Sequence, residues 1–164
     1  MIGRLVLLFV LLLFGAVGAG AQTFQPVGFD KAFNAASKRI GTGVVLTTVG
    51  CKPSECEFGA VPDLRILVSS DSGNTDIEQV SAYLPRDISD KDRSRRSAIL
   101  ATSVVATLIA VFSPKVPAKR RGDAVMALLN GATSPRQRGE IDLGGINYVM
   151  NATQADNLRI YVTR

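Results

Sequence analysis

The chain has no histidine and no tryptophan, and aromatic residues make up only 6% of its 164 positions. Without histidine there is no imidazole to act as a general base, to ligate a metal, or to activate a serine or cysteine nucleophile. Two cysteines are too few for a thiolate zinc site. The patterns G-x-S-x-G and H-E-x-x-H do not occur, and Gly41-Thr42-Gly43 precedes a strand pattern instead of opening a helix, so it is not a phosphate loop. The sequence therefore gives no reason to expect a metal, a cofactor or a nucleophile-based enzyme. A hydrolase working through carboxylates is the enzymatic alternative that survives.

What the N-terminus does contain is an apolar run. Arg4 precedes an uninterrupted apolar stretch from Leu5 to Phe14, and Ala19-Gly20-Ala21 closes the segment with an A-x-A site. This is the pattern of a secretory signal peptide, residues 1–21, cleaved after Ala21. The run is short for a membrane span, and the first cysteine is Cys51, so an N-terminal lipid anchor has no attachment point. The expected localisation is periplasmic or secreted, in a bacterium. Residues 22–164 are then one domain, long enough to close a hydrophobic core. After Ala21, 18 Lys and Arg face 14 Asp and Glu, a net charge of +4. That is enough to favour an anionic surface or an acidic protein, and too little for a nucleic-acid partner.

In an oxidising compartment, Cys51 and Cys56 read as one disulfide closing the turn Lys52-Pro53-Ser54-Glu55. The spacing is not the C-x-x-C of a redox pair at a helix start, so the bond reads as structural.

Periodicity sets the elements. Phe29, Ala32, Phe33, Ala36 and Ile40 recur at helical spacing, and Gly41 stops that helix. Gly43 to Gly50 reads as a strand, and Glu57 to Val61 as a short partner returning from the cysteine turn. Leu64 to Ser69 and Thr75 to Leu84 follow as strands. A phase shift between Ile77 and Val80 implies a bulge near Gln79. Ser89, with Asp92 three residues on, forms a capping-box pattern for a helix that runs to Phe112. Ala98 to Phe112 carries no charge, which fits either a buried core helix or a membrane contact. Pro117 opens a further helix to Leu129, with Asn130-Gly131 as its end. Thr133 to Gly139 reads as a polar basic loop. Glu140 to Leu143 and Ile146 to Asn151 flank a Gly144-Gly145 hairpin turn, and Leu158 to Thr163 is a regular final strand. The implied fold is α+β: an antiparallel sheet of about six strands, with a central helix pair and a short N-terminal helix packed on one face.

Candidate functional residues are few. Lys119, Arg120, Arg121, Arg136 and Arg138 form a basic group suited to an anion or a partner. Glu140 and Asp142 share a strand face and read as solvent-facing. The Asn151-Ala152-Thr153 sequon has no role in a bacterial chain. Tyr83, Tyr148 and Tyr161 are aromatic contacts wherever they point outward; Tyr148, in phase with Ile146 and Met150, also fits the core. The expectation is a non-catalytic binding or accessory module of the bacterial envelope. Its partner would be an envelope protein or extended peptide taken up on a sheet face or edge strand. The alternative is a membrane-associated protein using helix 98–112.

Overall fold

The computed structural model describes residues 25–60, 64–71, 76–85, 90–153 and 157–164. Residues 1–21, expected to be a signal peptide, lie outside them. Alternation of apolar and polar residues builds two strand meanders. β1 (Thr47–Lys52), β2 (Glu55–Ala60), β3 (Leu64–Ser70) and β4 (Ile77–Pro85) form the first; β5 (Arg138–Asp142), β6 (Asn147–Thr153) and β7 (Asn157–Thr163) form the second. α1 (Phe29–Ile40) precedes both, and α2 (Lys91–Phe112) and α3 (Ala118–Thr133) connect them. The meanders meet where β7 pairs antiparallel with β4, giving one sheet in the order β1-β2-β3-β4-β7-β6-β5. The fold is α+β with an antiparallel sheet, of seven strands rather than about six.

One sheet face is apolar. Leu64, Ile66 and Val68 on β3 and Leu158, Ile160 and Val162 on β7 are buried, with exposed or half-buried residues between them. The same core takes in Phe29 and Phe33 from α1, Val104, Leu108 and Phe112 from α2, and Leu128 from α3. The helices therefore cover this face and leave the other to solvent. Buried hydroxyls are satisfied in a relay. Thr107 donates to the Ser103 carbonyl at 2.8 Å, so it accepts from Thr42 at 2.8 Å, and Thr42 in turn accepts from Ser37 at 2.9 Å. This ties the end of α1 to the middle of α2.

The disulfide joins Cys51 to Cys56, which face each other across β1 and β2. The Gly144-Gly145 turn is also present. Both glycines have positive φ, 70° and 85°, and the Leu143 amide donates to the Ile146 carbonyl at 2.9 Å. Paired left-handed residues match the twist of a hairpin, which is why glycine stands at both positions.

Several boundaries differ from expectation. The strand expected from Gly43 begins only at Thr47. The Asn34 side chain donates to the Leu46 carbonyl at 2.9 Å and accepts from the Leu46 amide at 2.7 Å. A helix side chain thus takes the hydrogen bonds that a neighbouring strand would have supplied. The α2 cap is Asp90, whose Oδ1 accepts from the Asp92 and Arg93 amides at 2.9 and 3.0 Å. Ser89 lies outside the described residues. The bulge expected near Gln79 is present beside it: Ser69 faces Gln79 and Ser70 faces Ile77, leaving Glu78 unpaired. Finally, α3 runs through Gly131 to Thr133, and β5 begins at Arg138 inside the expected loop.

Candidate functional site

The uncovered face of the sheet is built from strand residues that alternate with the core. Register places Glu57, Leu67, Ser81, Tyr161, Val149 and Glu140 in one row across β2, β3, β4, β7, β6 and β5. The adjacent row runs Gly59, Arg65, Tyr83, Arg159, Asn151 and Arg138. Where the rows cross β2, β3, β4 and β7 they form a shallow depression of about 410 Å³, whose lining includes Glu57, Arg65, Leu67, Tyr83, Arg159 and Tyr161. Leu67 and Tyr83 remain 39% and 38% exposed, high for large apolar side chains at the middle of a sheet. The Tyr83 hydroxyl donates to Asn157 Oδ1 at 2.7 Å, which fixes the ring across β4 and β7.

The charges here are unevenly matched. Arg65 is paired with Glu57. Arg138 donates twice to Glu140 Oε2, at 3.1 and 2.9 Å, and Asn147 donates to Glu140 Oε1 at 3.0 Å. The hydrogen bond from Asn147, together with the hydrogen bonds and charge of Arg138, holds the Glu140 carboxyl below its ordinary pKa. Arg159, exposed between Tyr83 and Asn151, has no ion-pair partner among the described residues. The face thus offers aromatic surface beside one uncompensated cation, a combination suited to an acidic partner with apolar side chains.

The basic group expected from sequence does not form one site. Lys119 and Arg120 are exposed on the first turn of α3, while Arg121 donates to the Val116 carbonyl at 2.8 Å. Arg136 lies beyond the other end of that helix, roughly 20 Å of helical rise away. Arg138 is on the open sheet face and engaged by Glu140. Arg159, absent from the expected group, is exposed on the open face, where Arg138 is engaged by Glu140. Its signal lay in the alternation Leu158-Arg159-Ile160, which directs Arg159 to the face opposite the core.

Of the three tyrosines, Tyr83 and Tyr161 occupy the open face and Tyr148 does not. Tyr148 is fully buried, with its hydroxyl 2.8 Å from the Ser113 hydroxyl. Burial pushes its pKa up to about 12, the Ser113 hydrogen bond opposing the shift. A phenol raised above its ordinary value of about 10 is neutral in both states below pH 10, so its contribution is fully present there. Between pH 10 and 12 the unfolded chain ionises first, and stability falls by about 2 kcal/mol. Urea unfolding should show this loss in the wild type. Tyr148→Phe should be less stable by about 1 kcal/mol at pH 8 and lack the alkaline decline attributable to this ring. Parallel pH profiles for the two proteins would refute the assignment.

The edges are less inviting than the face. β1 is exposed along its length but carries a bulge at Val49, since Thr48 faces Phe58 and Gly50 faces Glu57. A bulge and the terminal Lys52 both discourage strand addition. β5, at the other edge, is packed by α3. Among the described residues, no three His, Cys, Asp or Glu side chains converge as a metal site. No protein-family model, curated protein or solved structure matches this chain, so the case for each surface rests on its own residues.

Proposed function

We propose that this chain is an exported, non-catalytic binding or accessory module of the bacterial envelope, and that it engages its partner with the open face of the sheet. The observation that carries this reading is the Tyr83–Arg159–Tyr161–Leu67 surface: exposed aromatic and apolar area beside an unmatched cation. The partner is an extended acidic segment of another envelope protein, laid across β3, β4 and β7. Export is supported by the N-terminal apolar run with its A-x-A site and by the Cys51–Cys56 disulfide, a bond that persists in oxidising compartments.

Site-specific photocrosslinking tests the reading. A benzoylphenylalanine at Tyr161 should give one discrete covalent adduct in living cells, and the same probe at exposed Ala127 on α3 should not. Arg159→Glu should cut the Tyr161 adduct about tenfold by placing like charge against the partner. Failure to form the adduct, or an adduct indifferent to Arg159→Glu, would sink the proposal.

A further inference from the structure

On the opposite side of the sheet the helix layer is incomplete among the described residues. α2 is apolar enough by length and composition to cross a bilayer, yet only 44% of its most apolar window is buried. Most of the buried residues are in the C-terminal half, between Val104 and Phe112; in the N-terminal half Ala101 is buried, but Ile99 is 58% exposed and Leu100 is half-buried. Facing it across a gap are Leu64 and Leu84 of the sheet and Val44 and Val45 of the segment that Asn34 holds in place. The gap is a groove of about 680 Å³, within the usual range of about 300–1,000 Å³ for small-molecule sites. Its walls are mainly aliphatic, with the hydroxyl side chains of Thr42, Ser97 and Ser103 among them. Arg93 and Arg96, one turn apart on α2, stand at its rim, and Arg96 is exposed.

We infer that this groove binds the chain of a fatty acid, with the carboxylate held at Arg96 and Arg93 and the alkyl tail laid against Ile99, Leu100, Leu84 and Val45. Charge complementarity selects the ligand class: an aliphatic trough with a guanidinium rim fits one acyl chain carrying one anionic head. Concavity argues against docking on a bilayer, because a flat lipid surface would leave the trough unfilled. The inference is independent of the function proposed above, since groove and open face lie on opposite sides of the sheet.

The test uses the protein expressed from residue 1, purified as the cell processes it, and stripped of lipid. It is titrated with laurate, myristate and palmitate below their micellar concentrations, and with hexadecanol as the uncharged control. Binding should saturate at one molecule per chain and tighten about fourfold for each added methylene until the trough is full. Hexadecanol should bind about tenfold or more weaker than palmitate, and Arg96→Glu should weaken palmitate by at least as much. Ile99→Glu changes an exposed position, so it should spare the fold while abolishing uptake. Lys31→Glu should leave uptake unchanged: it lies two residues from Phe29, which stacks on Phe112 at the far end of α2. No saturable uptake would overturn the inference, as would equal affinity for acid and alcohol with Arg96→Glu silent. Binding to anionic vesicles without uptake of monomeric fatty acid would overturn it in favour of a bilayer contact.

Discussion

Phe29→Ala will destabilise the protein by about 3–5 kcal/mol, a large share of the total stability of a domain this size. Phe29 has no exposed surface and sits where three elements meet. Its ring centroid is 5.9 Å from Phe33 on α1, 5.6 Å from Phe58 on β2 and 6.1 Å from Phe112 on α2. Truncation leaves a void whose walls belong to two helices and a strand, each pinned elsewhere, so the site cannot easily collapse. α1 is pinned by Asn34 on Leu46, by Arg39 donating to the Ala110 carbonyl at 3.1 Å, and by the Thr42–Thr107 hydroxyl contact. Chemical denaturation of the two proteins measures the difference, and Phe29→Leu should recover most of it. A loss under 1 kcal/mol would mean that α1 is not seated by this cluster. There is a functional corollary. The same helix carries Asn34, which holds Leu46 beside the groove-lining Val44 and Val45, so loosening α1 should weaken the fatty-acid uptake inferred above before the protein unfolds.

The features legible in the sequence were those set by period and by turn chemistry. The α1 periodicity, the β7 alternation and the Gly144-Gly145 turn are each specified by residues within one element, and each is present. The disulfide was legible because Pro53-Ser54 turns the chain between two cysteines. Non-local chemistry was less legible. Asn34 replaces a neighbouring strand for Leu46, twelve residues away, and no local pattern announces such a bond. Ser89 and Asp90 are both good caps with suitable spacing to the first turn, and propensity alone does not rank them. The basic residues between Lys119 and Arg138 look grouped along the chain, but a 16-residue helix carries their ends apart. Conversely, Arg159, Tyr83 and Arg65 are scattered in sequence and become neighbours only through the β3–β4–β7 register. Which face of an alternating strand meets the helices is a property of the whole sheet. The open-face site could therefore be read only as alternation, never as a constellation.

The incomplete cover over α2 was hidden for a related reason. An uncharged stretch from Ala98 to Phe112 looks uniformly buried, because hydropathy records what a residue tolerates and not what it touches. The C-terminal half is almost wholly buried against α1, α3 and the sheet, while the N-terminal half meets them at fewer points, among them fully buried Ala101 and the Ser97 hydroxyl, which donates to the Pro85 carbonyl at 3.0 Å. The remainder keeps its apolar character with solvent along one side, and that mismatch between composition and surroundings is what makes the groove a binding candidate.

Glycine at 131 shows how one substitution can change sign within a single helix. Read locally, Asn130-Gly131 is a helix stop; in the fold it is the point where α3 crosses β5. A Cβ built on Gly131 would lie 2.9 Å from the Arg138 carbonyl oxygen and closer still to the Gly139 Cα. A Cβ on Gly139 would lie 2.7 Å from both the Cα and the carbonyl carbon of Leu128, and would overlap the Leu128 carbonyl oxygen. These are backbone atoms, which cannot rotate away, so either alanine forces helix and strand apart. Gly131→Ala and Gly139→Ala should each destabilise by about 3 kcal/mol, the upper end for overpacking. Gly122 is the internal control. It lies in the same helix, exposed, with no atom within 4 Å of its would-be Cβ. Gly122→Ala should therefore stabilise by about 0.5–1 kcal/mol, the ordinary gain of alanine over glycine in a helix. Thermal or urea unfolding of the three variants decides the matter. If all three shift in the same direction, α3 does not cross β5 with backbone against backbone, and the seat of the second meander is wrong.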